Sequence, residues 1–247
     1  MRDTQLAPPK VGAASADVLR ETRVAASRAT EALRPKVAVD TVLFAMGGAR
    51  LKCYLVQLQA GALAGRWAFP GGLVRVGETL DSAARREIED AAGLRDIYLE
   101  QVFSFGDPSR DPDAHVVSVA YMALIPDASA ARLGSRKYAS GQWFEMERLP
   151  ALAYDHREVA RFALERLRSR LRYMDIARNL LPPTFTMGDL HDIYQSALER
   201  GIDRRNFRRW ILTSGLLKSV PGKRRGAHRP ATIYAFRERS DVTFGMI

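Results

Sequence analysis

The run from Gly72 to Leu94, GLVRVGETLDSAARREIEDAAGL, gathers acids and guanidinium groups at spacings that could do phosphate chemistry. An α-helix advances roughly 100° per residue, so Glu87, Asp90 and Ala91 fall on one face while Glu89 points away. Carboxylates converging from one face are what a hard divalent cation such as Mg2+ needs, and such an ion polarises phosphate. The set is short, because Asp90 is the smaller acid and Ala91 carries none. Glu87 and Asp90 are therefore the only metal ligands expected here, at a weakened site. Arg66, Phe69 and Arg75 flank the same stretch.

A second chemistry lies near the other end. Residues 1–150 carry 19 Lys+Arg and 18 Asp+Glu, whereas residues 151–247 carry 19 and 10, a net of +9. Between Arg200 and Arg229 ten basic residues face only Asp203. Such asymmetry points to an anionic partner for the C-terminal half. Arg204, Arg205, Asn206, Arg208 and Arg209 fall outside an apolar stripe of Phe207, Trp210 and Ile211, which repeats at helical spacing. Lys223, Arg224, Arg225 and Arg229 sit in a Gly-bounded segment, PGKRRGAHRPA, that reads as a hairpin tip. A basic helix beside a basic hairpin suits double-stranded DNA, with Arg and Asn able to read purine edges and Lys and Arg neutralising phosphate.

These residues need elements to position them. Residues 1–35 read as an arm, with a sparse helical pattern over 14–33. KVAVDTVLFAM and LKCYLVQLQ, joined by the turn signal GGAR, read as a hairpin. WAFPGG reads as a strand edge and a Pro-Gly-Gly turn. A helix is expected from Glu78 to Ala92, closed by Gly93. Strands follow at Ile97–Ser104, Val116–Ile125 and Gln142–Phe144, which gives a mixed α/β sandwich. From Arg157 to Tyr173 apolar residues recur at helical spacing. Beyond it, MDIARNLL reads as a first short helix. Thr186 and Asp189 form a capping box for a second, and Asp203 caps a third. LLKSV and TIYAF then form a wing. The division is 1–35 arm, 36–155 sandwich, 156–173 linker helix and 174–240 winged helix-turn-helix. With Cys53 the only cysteine, no secretory signal and no apolar run near the ~20 residues of a membrane span, a cytoplasmic protein with no membrane partner is expected.

The Gly72–Leu94 string resembles the Nudix box, G-x5-E-x7-R-E-U-x-E-E-x-G-U, in which U is a bulky aliphatic residue. Gly72, Glu78, Arg86, Glu87, Ile88, Gly93 and Leu94 match, while Asp90 and Ala91 replace the paired glutamates. The resemblance implies an α/β/α sandwich in which Glu78 and Arg86 pair to fix the loop against the helix. It also makes Arg66, Phe69, Arg75, Glu78, Arg86 and Glu87 the candidate ligand-binding set. No catalytic residue is assigned, and Glu87 and Asp90 would carry any residual hydrolysis.

With the basic module and the runs SFGDPSRDPDAHVVSVAYMALIP, LAYDH and HRPATIYAF, the chain resembles, over about residues 37–237, the Nudix-related transcriptional regulators of NAD metabolism (NrtR type). That implies a dimeric bacterial repressor of NAD biosynthesis or salvage genes, active at the nucleoid on an inverted-repeat operator. It implies ADP-ribose or a related NAD-derived nucleotide as the effector. No cofactor is needed for DNA binding, with Mg2+ only at the weakened site. The alternative is an active Nudix hydrolase of ADP-ribose, or a similar nucleoside diphosphate, with a nucleic-acid-binding tail.

Overall fold

The computed structural model of the chain describes residues 20–21, 34–132, 137–173, 176–198, 201–224 and 230–237. The helix expected over 14–33 lies outside the described residues, apart from 20–21, which are helical.

Strands β1 (Lys36–Gly47) and β2 (Arg50–Leu58) form the expected hairpin, with Leu43 opposite Tyr54 and Gly47 opposite Arg50. Gly48 makes its turn at φ +64°, a conformation that favours glycine. Val39, Val42, Leu43, Phe44 and Ala45 are all fully buried, because β1 is central and covered on both faces. It runs parallel to β6 (Val116–Leu124), and β5 (Tyr98–Phe105) completes that edge. β7 (Tyr138–Glu145) lines the other edge of β2, and β3 (Trp67–Ala68) pairs with Val56 and Gln57.

The Pro-Gly-Gly run is not a turn. Gly71–Leu73 forms a strand, β4, paired with Ala38–Asp40 of β1. Glycine is needed there for closeness rather than curvature, since a Cβ on Gly71 would come within 2.5 Å of the Val39 carbonyl oxygen. Gly71→Ala should therefore push β4 off β1 and cost about 1–3 kcal/mol, the usual penalty of overpacking. A urea midpoint equal to that of the native chain would contradict this.

Helix α1 (Leu80–Ala92) covers one face of the sheet. It starts two residues later than its apolar pattern suggests, because Thr79 caps it by accepting from the Ser82 N–H at 3.1 Å. Gly93 ends it at φ +67°, its N–H bonding to the Glu89 carbonyl. Helix α2 (His156–Tyr173) covers the opposite face, burying Val159, Ala163, Leu167 and Leu171 against Phe44, Val102 and Met122. Glu100 of β5 accepts from Arg170 at 2.6 Å and from Arg166 at 3.3 Å, which pins α2 to the sheet edge. The expected α/β/α sandwich is present.

The C-terminal module follows without a break in the core. Leu180, Leu190, Ile193, Tyr194, Phe207, Ile211 and Tyr234 belong to the same apolar cluster as α2 and β2. Each such fully buried side chain contributes roughly 1.5–3 kcal/mol. Its first element differs from expectation. Ile176–Leu180 is a five-residue 3-10 turn rather than an α-helix. Pro182 and Pro183 stop it, because a residue before proline disfavours the α region. Phe185–Thr186 then adds a strand, β8, too short for any periodicity to reveal.

Helices α3 (Met187–Leu198) and α4 (Arg204–Thr213) carry the expected caps. The Thr186 N–H donates to Asp189 at 2.7 Å and the Asp189 N–H to Thr186 Oγ1 at 3.2 Å. Asp203 accepts from the Asn206 N–H at 2.8 Å. β9 (Leu217–Arg224) and β10 (Ala231–Phe236) form the wing in a sheet ordered β8-β10-β9. β9 runs past Pro221 because the pairing register shifts there, with Gly222 at φ +104°. No helix among the described residues is long and apolar enough to cross a membrane.

Candidate functional site

β1 and β2 part beyond Leu43, and β4 enters beside β1. Two adjoining cavities open around this point, of about 400 and 500 Å³. Gly71, Gly72, Phe69, Lys137, Tyr138 and Asp40 line the smaller one. Arg66, Asp107, Ser109, Asp155 and Glu158 line the larger, and Arg110 and Tyr154 line both. Tyr154 holds a left-handed conformation, φ +52°, unusual for a tyrosine, with its ring 5.2 Å from that of His156.

A buried polar network forms the wall between them. Asp40 accepts from Ser118 at 2.6 Å and from Arg110 at 3.1 Å. The Arg110 guanidinium, 3% exposed, also grips both oxygens of Asp155, at 2.9 and 2.6 Å. The Phe69 N–H donates to His156 Nδ1 at 3.0 Å, so Nδ1 is an acceptor and the proton belongs on Nε2, which lies 3.3 Å from Asp40. Burial pushes the Asp40 pKa up. His156, Arg110 and Ser118 outweigh that and hold the carboxyl well below the usual carboxylate range. This network joins the first turn of α2 to the floor of the site.

The box residues make a second cluster. Arg86 forks onto Glu78 with two bonds of 2.8 Å, so the loop is clamped to α1 as the resemblance implied. The Arg86 hydrogen bonds, helped by the Arg75 N–H, draw the Glu78 pKa from 4.5 to about 2. A depressed folded pKa stabilises above the ordinary value, and that contribution is lost as pH falls from about 4.5 toward 2.

Glu87 is 2% exposed and bonded to Arg86 Nη1 and Lys137 Nζ. Lys137 Nζ also donates to the Gly71 carbonyl at 2.7 Å. The Tyr138 hydroxyl donates to that carbonyl at 3.0 Å and lies 3.4 Å from Glu87. A Cβ on Gly72 would collide with the Glu87 carboxylate, so Gly72 must be bare for this packing.

Ala91 is fully buried beside Ile88 and Tyr138 in the core under α1. Among the described residues no group of three or more His, Cys, Asp and Glu is placed to hold a metal ion. The Glu87 carboxylate, the acid on the metal face of the helix, is already engaged by Arg86 and Lys137, so it does not stand open to a Mg2+ ion. Asp107 and Asp111 do turn chemistry, while the Asp113 carboxylate accepts from the Ala62 N–H at 3.5 Å. Asp107 accepts from the Ser109 N–H at 2.8 Å and Asp111 from the Asp113 N–H at 2.9 Å.

Of the candidate ligand residues, Phe69 and Arg66 reach the cavities, whereas Glu78, Arg86 and Glu87 form the clamp beneath them. Arg75 lines neither cavity and contributes its backbone N–H to Glu78.

Arg204, Arg205, Asn206, Arg208 and Arg209 are all exposed along α4, with Phe207 and Ile211 facing the core. Arg208 donates to the Tyr234 hydroxyl at 3.2 Å and Arg209 to Asn206 at 3.1 Å, which orients both. Lys223 is exposed at the end of β9. Arg224 bonds Asp189 at 2.7 Å, tying the wing to the start of α3. Arg225 and Arg229 lie outside the described residues.

Residues 34–165 match the Nudix domain model, and residues 177–236 match the NrtR DNA-binding winged helix domain. The ADPR responsive transcriptional repressor NtrR of Acinetobacter baylyi is 31% identical over 206 residues, which cover 82% of this chain and 82% of that protein. The chain belongs to the NrtR family.

Solved members share the architecture. NrtR of Shewanella oneidensis complexed with a 27mer DNA superposes with a TM-score of 0.74 at 28% identity, covering 85% of this chain and 98% of that one. The NUDIX domain of the same NrtR complexed with ADP ribose gives 0.51 at 29% identity, covering 60% and 98%. The residues that sequence reasoning missed in this NrtR-family chain are Asp40, Arg110, Lys137, Tyr154 and Asp155. Each is unremarkable in its own segment, and only the fold brings them together. The LAYDH and GDPSRDPD runs were the one available signal.

Proposed function

We propose that this chain is a DNA-binding repressor of NAD biosynthesis or salvage genes whose Nudix domain senses ADP-ribose. The observation that carries the reading is the pairing of a winged helix, with its basic α4 face exposed, to a Nudix box whose metal face ends in a buried alanine. The relatives support it, one being named an ADPR responsive repressor and another having been solved both with DNA and with ADP ribose.

ADP-ribose enters the paired cavities, with Arg66 on the diphosphate and Tyr154 or Phe69 against the adenine. The chain acts as a cytoplasmic homodimer, two α4 helices reading an inverted repeat in successive major grooves. Helix α2 carries the signal, since Asp155 just before it and His156 at its start belong to the buried network. Its last turns reach the winged domain through the bond from Arg168 to the Ala197 carbonyl at 2.7 Å. The Leu51 N–H bond to Ser196 Oγ, also 2.7 Å, adds a direct contact.

Binding to the promoter duplex beside its own gene, against an unrelated duplex at about 150 mM salt, tests the DNA half of the reading. Equal affinity for both would refute a specific operator. The second reading, a hydrolase, rests on the surviving Glu87. Rapid release of AMP from ADP-ribose with Mg2+ would favour it.

A further inference from the structure

The Glu87 carboxylate poses a problem of charge. A buried ion must be paired, and removing a partner leaves an uncompensated charge. Its clamp partner, Arg86, is already forked onto Glu78. The remaining cation is Lys137, whose ammonium bridges Glu87 Oε2 and the Gly71 carbonyl oxygen and lies 5.2 Å from the Tyr138 ring centroid. Lys137 stands in the turn immediately before β7, next to Tyr138, which touches the same two oxygens, so the entry to the strand delivers both groups together. The space one turn along α1 is closed by Ala91, fully buried against Tyr138. The Lys137 side chain is 41% exposed and lines the smaller cavity.

We propose that Lys137 is the fixed cation of this site, holding the carboxylate and carbonyl oxygens that a divalent ion would otherwise take, so that a nucleoside diphosphate binds here without metal. The inference rests on the ADP-ribose reading above and deepens it. An ammonium is a compact point charge that attracts phosphate oxygens. It offers no open coordination position for water, so it holds a diphosphate without generating the metal-bound hydroxide that hydrolysis needs. Ala91, where the Nudix box has a glutamate, and Lys137 then act together to close this site to a metal ion.

Calorimetric titration of ADP-ribose into the full chain, in excess EDTA and in excess Mg2+, tests it. The native chain should bind with the same affinity in both, within about twofold, and Lys137→Met should lose roughly tenfold or more in EDTA. A tenfold gain on adding Mg2+ to the native chain, or unchanged affinity in Lys137→Met, would overturn the proposal. Lys137 is partly exposed and Arg86 still pairs Glu87, so this variant should fold, and circular dichroism checks that it does.

A Mn2+ titration followed by electron paramagnetic resonance needs no nucleotide. The native chain should leave the free-ion signal unchanged, and tight Mn2+ binding would sink the fixed-cation assignment. If the native chain bound ADP-ribose in neither buffer, the effector reading would fail by itself, with the Mn2+ result still deciding the cation.

Discussion

Arg110→Ala is expected to lower the unfolding free energy by about 3–5 kcal/mol, the scale of breaking a buried ion pair from one side. The side chain holds Asp40 and Asp155 at once, and its removal leaves the Asp40 carboxylate, among the described residues, with Ser118 and His156. The effect depends on pH in a definite direction. The folded pKa of Asp40 is depressed, so the stability it confers is present above its unfolded value and is lost as the solution is acidified. The gap between the native chain and Arg110→Ala should be full at neutral pH and shrink as pH falls below about 4. Urea unfolding at a series of pH values checks both points. A gap under about 1 kcal/mol at neutral pH would mean that the network is solvated in solution. Because Asp155 begins the turn into α2, the same variant should also uncouple DNA affinity from ligand.

The second large effect belongs to α4. Replacing Arg205 and Arg209 together by alanine should weaken operator binding by about 30-fold or more, since each base or phosphate contact is worth roughly 1–3 kcal/mol. Both side chains are exposed, so the unfolding midpoint and ADP-ribose affinity should stay as they were. The salt dependence then sorts their roles. If both contact phosphate, the slope of log K against log salt falls by about two, whereas a base reader changes sequence preference instead. Retained operator affinity would move the recognition surface elsewhere on the winged domain.

How much of this was legible beforehand follows from the range of the interactions involved. Thr186 with Asp189, and Asp203 with Asn206, act within one helical turn, so the caps of α3 and α4 could be read from spacing alone. So could the Glu78–Arg86 clamp, once the box was recognised. The PGG run misled because glycine serves both turns and close approach. Only the partner strand β1 reveals that Gly71 answers to Val39. Likewise MDIARNLL has the composition of a helix, and the prolines behind it decide otherwise.

The site itself was half legible. Glu87 and the gap at Ala91 were visible, but Lys137, the second cation on Glu87, comes from the turn before β7, and Asp40, Arg110 and Asp155 come from three separate segments. No local pattern marks such a convergence. The gap that suggested a crippled metal site is, in three dimensions, a site with a lysine bound to the carboxylate left behind.

The most direct measurement is the affinity of the full chain for its promoter duplex with ADP-ribose absent and at saturation, at fixed salt. A sensor that couples its two sites should lose roughly 5–150-fold in DNA affinity on binding ligand, with the same factor lost from ADP-ribose affinity when DNA is bound. Unchanged DNA affinity at saturating ADP-ribose would contradict the account.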